Sequence, residues 1–175
     1  MNTYTVLTII IIIISLLAMG YIIIYNKIKN NQSKIEKVES IIDEDLRHKY
    51  DLLMEIEQNI PSKKDYFKEF KELKNADISN FDLERKLKEA EITIKKAYED
   101  LKPNNDNTKE LFYQIKTTNE KISAGISYYN HHMNKRNDYI RKFPNNIIAH
   151  LHGITTKPFF DQKDMTDDII DDFKL

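Results

Sequence analysis

The chain contains no cysteine. That excludes disulfides, thiolate metal sites and a lipid-modified cysteine. Glycine and proline are scarce, at three and four residues in 175. Few helix breakers, together with abundant Lys, Glu, Asp, Leu and Ile, favour long helices. There is no P-loop, no Gly-rich strand-to-helix turn and no nucleophile elbow. A Gly- or Ser-rich linker and an exact internal repeat are also missing. Net charge is -1, so no global field draws in nucleic acid. The sharpest absence is local. The first charged side chain is Lys27.

What fills that uncharged stretch is apolar. The run from Tyr4 to Tyr25 is Ile, Leu, Val, Met, Ala, Tyr and one Gly, with the hydroxyls of Thr5, Thr8 and Ser15. A helix needs about 20 apolar residues to cross a bilayer, and a Thr or Ser hydroxyl can bond back to the helix backbone. A cleaved signal peptide would want a basic start, a shorter apolar core and a small-x-small site after it. Met1 to Thr3 carries no Lys or Arg, and Ala18-Met19-Gly20 lies inside the run. The run therefore reads as a retained anchor. Lys27, Lys29, Lys34 and Lys37 follow it, with the first acid at Glu36. A basic flank stays cytoplasmic. Residues 1–3 are expected outside, 4–25 in the membrane, and the body in the cytoplasm.

The body reads as helices separated by polar turns. Val38, Ile42, Leu46, Leu53, Ile56 and Ile60 make one stripe at helical spacing, extended by Tyr50. Pro61 ends that helix, and Ser62 with Asp65 suits the start of a short helix to Asn75, packed through Tyr66, Phe67, Phe70 and Leu73. Leu83, Leu87, Ala90, Ile94, Ala97 and Leu101 repeat at four and three, close to a coiled-coil heptad. Pro103 and the Asn-rich stretch after it form a loop. The longest helix runs from about Asn107 to Lys142, striped by Leu111, Ile115, Thr118, Ile122, Gly125/Ile126, Tyr129, Met133, Ile140 and Phe143, and Pro144 stops it. One-sided stripes must bury on each other, and short connections favour antiparallel neighbours. The expected fold is all-α: an N-terminal transmembrane helix followed by an elongated antiparallel helical bundle over residues 26–160. Residues 161–175, with six Asp against two Lys, form an acidic tail.

Two stretches resemble the LemA family of bacterial membrane proteins. One is Thr118-Asn119-Glu120-Lys121-Ile122, Tyr128-Tyr129-Asn130, Met133, Asn137 and Ile140, then Phe143-Pro144-Asn145-Asn146-Ile147-Ile148-Ala149, Gly153 and Phe159-Phe160. The other is Asp43, Leu46, Arg47, Lys49, Tyr50, Asp51 and Leu52, and Tyr25-Asn26 fits as well. The chain departs from the family pattern in places. Met54 and Glu55 follow Leu53 where the family has Pro, Ile126 replaces a basic residue, and a second Tyr-Asn is Arg136-Asn137. The middle, from Ile60 to Asp100, carries little of the pattern. The chain looks like a divergent, shortened member. The resemblance implies a membrane helix and a long-helix bundle, and no particular chemistry.

No catalytic, cofactor-binding or metal residue emerges. Asp43-Glu44-Asp45 and Asp167-Asp168 have no apolar surroundings to raise a pKa. His48, His131, His132, His150 and His152 lack the spacing of a metal site. The structural or interaction candidates are Arg47, Lys49, Tyr50, Asp51, Tyr129, Asn130, Asn137, Phe143, Pro144, Phe159 and Phe160. Asn130 and Asn137 share a helix face, and serve either to fix register or to face a ligand. Asn137 has two structural partners in view, the Phe143-Pro144 turn or the basic segment on the first helix. Phe143 is expected in the core. Phe159 and Phe160 are expected to dock unequally.

The reading is a non-enzymatic, membrane-anchored scaffold or adaptor that touches lipid through its N-terminal helix and holds an unknown protein partner, with no nucleic acid and no cofactor. One alternative is a homo-oligomer seamed by the 83–101 stripe. The other is a ligand-sensing domain with a pocket near Asn130 and Asn137.

Overall fold

The computed structural model describes residues 2–60, 68–75, 78–101 and 106–160. The expectations for Pro61, Ser62, Asp65, Tyr66, Phe67, the loop at 102–105 and the tail 161–175 lie outside these residues. The fold is an all-α helical bundle with one N-terminal apolar helix. Helix α1 spans Thr3–Gln58, and a 3-10 helix follows at Lys68–Asn75. Then come α2 (Asn80–Leu101), α3 (Asp106–Arg141) and α4 (Asn145–Leu151).

Helix α1 has no break where the apolar run meets the charged body. Within Thr3–Gln58 there is no proline and Gly20 is the single glycine, so nothing interrupts the backbone ladder. Over its first part Ile9 to Ile14, Leu16, Leu17 and Met19 are all exposed. A helix apolar on every side finds its solvent in a bilayer. Thr8 Oγ1 donates to the Tyr4 carbonyl at 2.9 Å, and Ser15 Oγ to that of Ile11 at 2.8 Å. Neither hydroxyl is left for lipid to solvate.

The described chain divides into two units. The first, here the anchor unit, joins Met1–Lys37 to Asn130–Phe159. Its centre is Ile28, Ile140, Ile148 and Ala149, with Ile24, Tyr25, Tyr139 and Ile154 against them. The Tyr21 and Tyr25 rings stack at 6.1 Å, and the His152 ring sits 4.6 Å from Tyr25. Tyr21 Oη and His152 Nε2 share a hydrogen bond of 2.5 Å. Lys27 Nζ lies 4.6 Å over the Tyr139 ring.

After α3 comes a cis Phe143-Pro144 bond and then α4. Gly153 ends α4 with φ at 61°, a conformation that suits glycine. The amides of Gly153 and Ile154 turn back to the His150 and Ala149 carbonyls at 3.1 and 2.8 Å. This is a Schellman stop, and Ile154 is its apolar residue, packed on the cluster. Ile24 and Tyr25 belong to the same cluster as Ile28.

The second unit joins Val38–Tyr129 to Phe160–Leu175. It buries Val38, Ile42, Leu46, Leu53 and Ile56 of α1, Leu83, Leu87, Ala90, Ile94 and Ala97 of α2, and Leu111, Ile115, Ile122 and Ile126 of α3. The α2 stripe is thus covered within the chain itself, and only Leu101 at its end is exposed. Ser79 begins α2: its hydroxyl accepts the Asp82 amide at 3.2 Å and donates to the Asp82 carboxylate at 2.6 Å. That satisfies an amide the helix itself cannot pair. A Cβ placed on Gly125 would meet Ile42 Cγ1 at 2.9 Å. Glycine there lets the α3 backbone come close to α1.

Candidate functional site

The early motif on α1 grips the chain's own backbone. Arg47 Nη1 donates to the Lys74 carbonyl at 2.7 Å, and its Nε to Asp43 at 3.0 Å. Tyr50 Oη donates to the Lys71 carbonyl at 3.0 Å. Asp51 accepts from Lys74 Nζ at 2.9 Å. The three residues fall within about one turn and a half of α1, so their tips reach one side, and together they hold the 3-10 helix at residues 71 and 74. Burial pushes the Tyr50 phenol above its ordinary range. The hydrogen bond from Lys74 to Asp51, and then the charge of that carboxylate, raise the Lys74 ammonium. Both effects keep these groups as donors near neutrality.

Lys49 points elsewhere. Its side chain is 3% exposed and reaches Glu91 Oε2 on α2 at 2.7 Å. Asn119 Nδ2 on α3 donates to both Glu91 oxygens, at 3.2 and 3.1 Å. A carboxylate that accepts from two helices is an ionic staple between α1, α2 and α3. Buried pairs of this kind add little net stability but are costly to break. The same Glu91 and Asn119 line an open groove of about 410 Å³ with Lys95, Tyr98, Phe112 and Ile115. The Tyr98 and Phe112 rings meet edge-on at 5.0 Å.

Asn137 is 4% exposed. Its amide nitrogen donates to the Lys157 carbonyl at 2.8 Å, and its oxygen accepts the Lys157 amide at 3.3 Å. An amide side chain mimics a peptide group and can pair both faces of one residue. Beside it, the buried Arg136 donates to the Thr155 carbonyl at 3.0 Å and to Asn137 Oδ1 at 3.3 Å. Two adjacent α3 residues thus clamp the segment at 155–157. The expected pairing of Asn137 with the Phe143-Pro144 turn or with the basic segment of α1 is replaced by this clamp, because that segment returns to α3. Asn130 is half-buried.

The aromatic candidates separate. Tyr129 and Phe160 are each 3% exposed, and Phe81 joins them. Phe81 and Phe160 centroids lie 4.2 Å apart, and Tyr129 meets Phe160 edge-on at 6.0 Å. Phe159 is half-buried. Phe143, expected in the core, is 79% exposed, and Pro144 is exposed beside it. The helix ends two residues before Phe143, so Phe143 leaves the stripe that its spacing from Ile140 suggests.

His131 and His132 rings meet edge-on at 5.4 Å. Burial, then the charges of His131, Lys34 and Lys135, hold His132 below its ordinary value of 6.5. Among the described residues no group of three or more His, Cys, Asp or Glu is placed to hold a metal. Asn119 stands in the family-like stretch that begins at Thr118, but neither it nor Glu91 is among the site candidates. Position is the signal for Glu91, which flanks the buried Ala90 on its helix.

The family model named the LemA family matches residues 24–170. The chain belongs to the LemA family. The match begins at Ile24, inside the anchor-unit cluster, and covers both gripping motifs. With one helix among the described residues long and apolar enough to cross a membrane, this LemA protein is a membrane protein. No curated protein and no solved structure matches it.

Proposed function

We propose that this LemA family protein is a membrane-anchored helical scaffold or adaptor without catalytic activity, its N-terminus outside and its body in the cytoplasm. One observation carries the reading. Four polar residues in or beside the family-like motifs are spent on the chain's own backbone: Arg47 and Tyr50 on residues 74 and 71, Arg136 and Asn137 on residues 155 and 157. Such residues shape a surface rather than a reaction centre. Orientation rests on Lys27, Lys29, Lys34 and Lys37 beside an uncharged N-terminal flank.

The test is crosslinking of the full chain in native membranes, with protease protection alongside. The scaffold reading expects a discrete adduct with a different protein, and survival of the body when protease is added to intact cells. Adducts with itself alone overturn the adaptor in favour of a homo-oligomer. Digestion of the body reverses the orientation. Removing the anchor is a poor test, because a chain beginning at Lys27 lacks Tyr21, Ile24 and Tyr25 of the anchor unit.

The groove lined by Glu91, Tyr98, Phe112 and Asn119 supports a second reading, a ligand-sensing domain. Its lining includes neither Asn130 nor Asn137, the residues beside which the sequence suggests a pocket. Native mass spectrometry of the purified full chain checks it: a retained small molecule lost on Phe112→Ala supports sensing, and a bare chain counts against it.

A further inference from the structure

Helix α4 has two unlike faces. Asn145, Ile148 and Ala149 are buried against the anchor unit. On the other side Ile147 is 51% exposed and Leu151 is 70% exposed, and Phe143, in the turn before the helix, is 79% exposed. Ile147 and Leu151 fall at i and i+4 of α4 and share one side of it. Three large apolar side chains facing out are costly in water.

The depth of this face is set by what α4 packs on. Its buried side meets Ile24, Tyr25 and Ile28, where the apolar run of α1 ends. Its C-terminal His152 bonds Tyr21, one turn inside the run. If α1 spans the bilayer, the exposed face of α4 is held at the level where hydrocarbon gives way to headgroups. Tyr21 and Tyr25 are the residue type that marks this level. The nearby charges are mostly basic: Lys27, Lys29, Arg141 and Lys142 are exposed or over a ring, while the acid closest in sequence to the corner is Asp138. Aromatic and aliphatic residues on one side with Lys and Arg around them are the pattern of a segment lying in an interface.

We propose that the Phe143–Leu151 corner inserts its exposed face into the cytoplasmic leaflet, giving the protein a second membrane contact beside the spanning helix. The occupant of the face is lipid: acyl chain and glycerol level against Phe143, Ile147 and Leu151, anionic headgroups near Lys27, Lys29, Arg141 and Lys142. A segment of this kind sits about 5–10 Å into the headgroup boundary. It would fix the tilt and rotation of α1, which a single span does not fix by itself.

The absence of cysteine makes the test direct. Full-length Ile147→Cys and Leu151→Cys proteins each carry one environment-sensitive fluorophore, in vesicles of phosphatidylcholine and phosphatidylglycerol. Asn134→Cys on α3 serves as the aqueous reference, and Ile12→Cys reports whether α1 is in the bilayer. The expected result is blue-shifted emission at 147 and 151, quenched by lipids labelled near the headgroup and shielded from iodide. Asn134 is expected to show the reverse, and Ile12 quenching by deeply labelled lipids. Iodide quenching at 147 and 151, with Ile12 deep in the bilayer, overturns the second contact and leaves the span standing. A blue shift without lipid quenching also overturns it, since protein then covers the face. If Ile12 is not quenched by lipid, the span fails and the proposal with it. In pure phosphatidylcholine the probes at 147 and 151 are expected to move shallower. No change there removes the anionic headgroups from the proposal.

Discussion

Two phenylalanines set the two units side by side. In the second unit Phe160 is 3% exposed, with Phe81 at 4.2 Å and Tyr129 edge-on. In the anchor unit Phe143 is 79% exposed. Both stand in family-like motifs, and each follows a stretch of helix or tail that reads as packing. One is core and one is surface. The contrast extends to the polar groups. The second unit buries a charge, Lys49, against a carboxylate on the next helix. The anchor unit buries Arg136 and Asn137 against backbone. The same kinds of residue staple helices in one unit and capture a returning segment in the other.

That comparison breaks first if the two phenylalanines respond alike. Phe160→Ala is expected to cost about 3–5 kcal/mol, the range for a buried aromatic that leaves a cavity. Phe143→Ala is expected to stay within about 0.5 kcal/mol, as for surface substitutions. Denaturant unfolding of the full chain in detergent measures both. A large loss at Phe143 would show that it packs in the folded state.

The staple predicts an asymmetry. Glu91→Gln strands the Lys49 ammonium, 3% exposed, and should cost about 3 kcal/mol, the low end for breaking a buried pair. Lys49→Met leaves Glu91, which is 24% exposed and still bonded to Asn119, and should cost less. Thermal unfolding of the two variants and of the double variant checks the order. Equal losses would mean that the pair acts as a surface bridge.

The clamp comes next. Asn137→Leu keeps the volume and removes both bonds to Lys157. An expected loss of about 1–2 kcal/mol follows from two unmade hydrogen bonds at a buried site. The sharper readout is hydrogen exchange: the Lys157 amide should exchange faster while second-unit amides do not change. Faster exchange across both units would mean that the clamp is not local.

The smallest effect is electrostatic. His132 is held below 6.5, first by burial and then by neighbouring positive charge. Its contribution is therefore present above that value. As pH falls, the unfolded chain takes up the proton first and stability drops, levelling off once the folded imidazole is also protonated. His132→Gln should flatten the stability profile between about pH 7 and 5 relative to the parent chain. An unchanged slope would remove His132 as its source.

The helices were legible because a stripe at helical period announces the buried face before any partner is known. Leu83, Leu87, Ala90, Ile94 and Ala97 were read as one seam, and all five are buried. What covers a seam is not written in its spacing. The near-heptad pattern of α2 suits a second copy as well as it suits the chain's own core, and tertiary packing decides for the core. Phe143 departs from its stripe for a related reason. Its spacing continues the α3 stripe, but the helix ends at Arg141 and the turn sends the ring outward.

By itself, the order of residues determined an uncharged apolar N-terminus long enough for a bilayer, an all-α body, and helix faces set by three- and four-residue spacing. These are local properties of solvation and backbone geometry, carried by residues near one another in the chain. Only the tertiary structure decided that Lys49 meets Glu91, that Asn137 holds Lys157, and that α4 rests on the end of the apolar run. Each of these joins groups about twenty residues or more apart. Hydrogen bonds and ion pairs at such separations depend on where the helices end and turn, which periodicity does not specify.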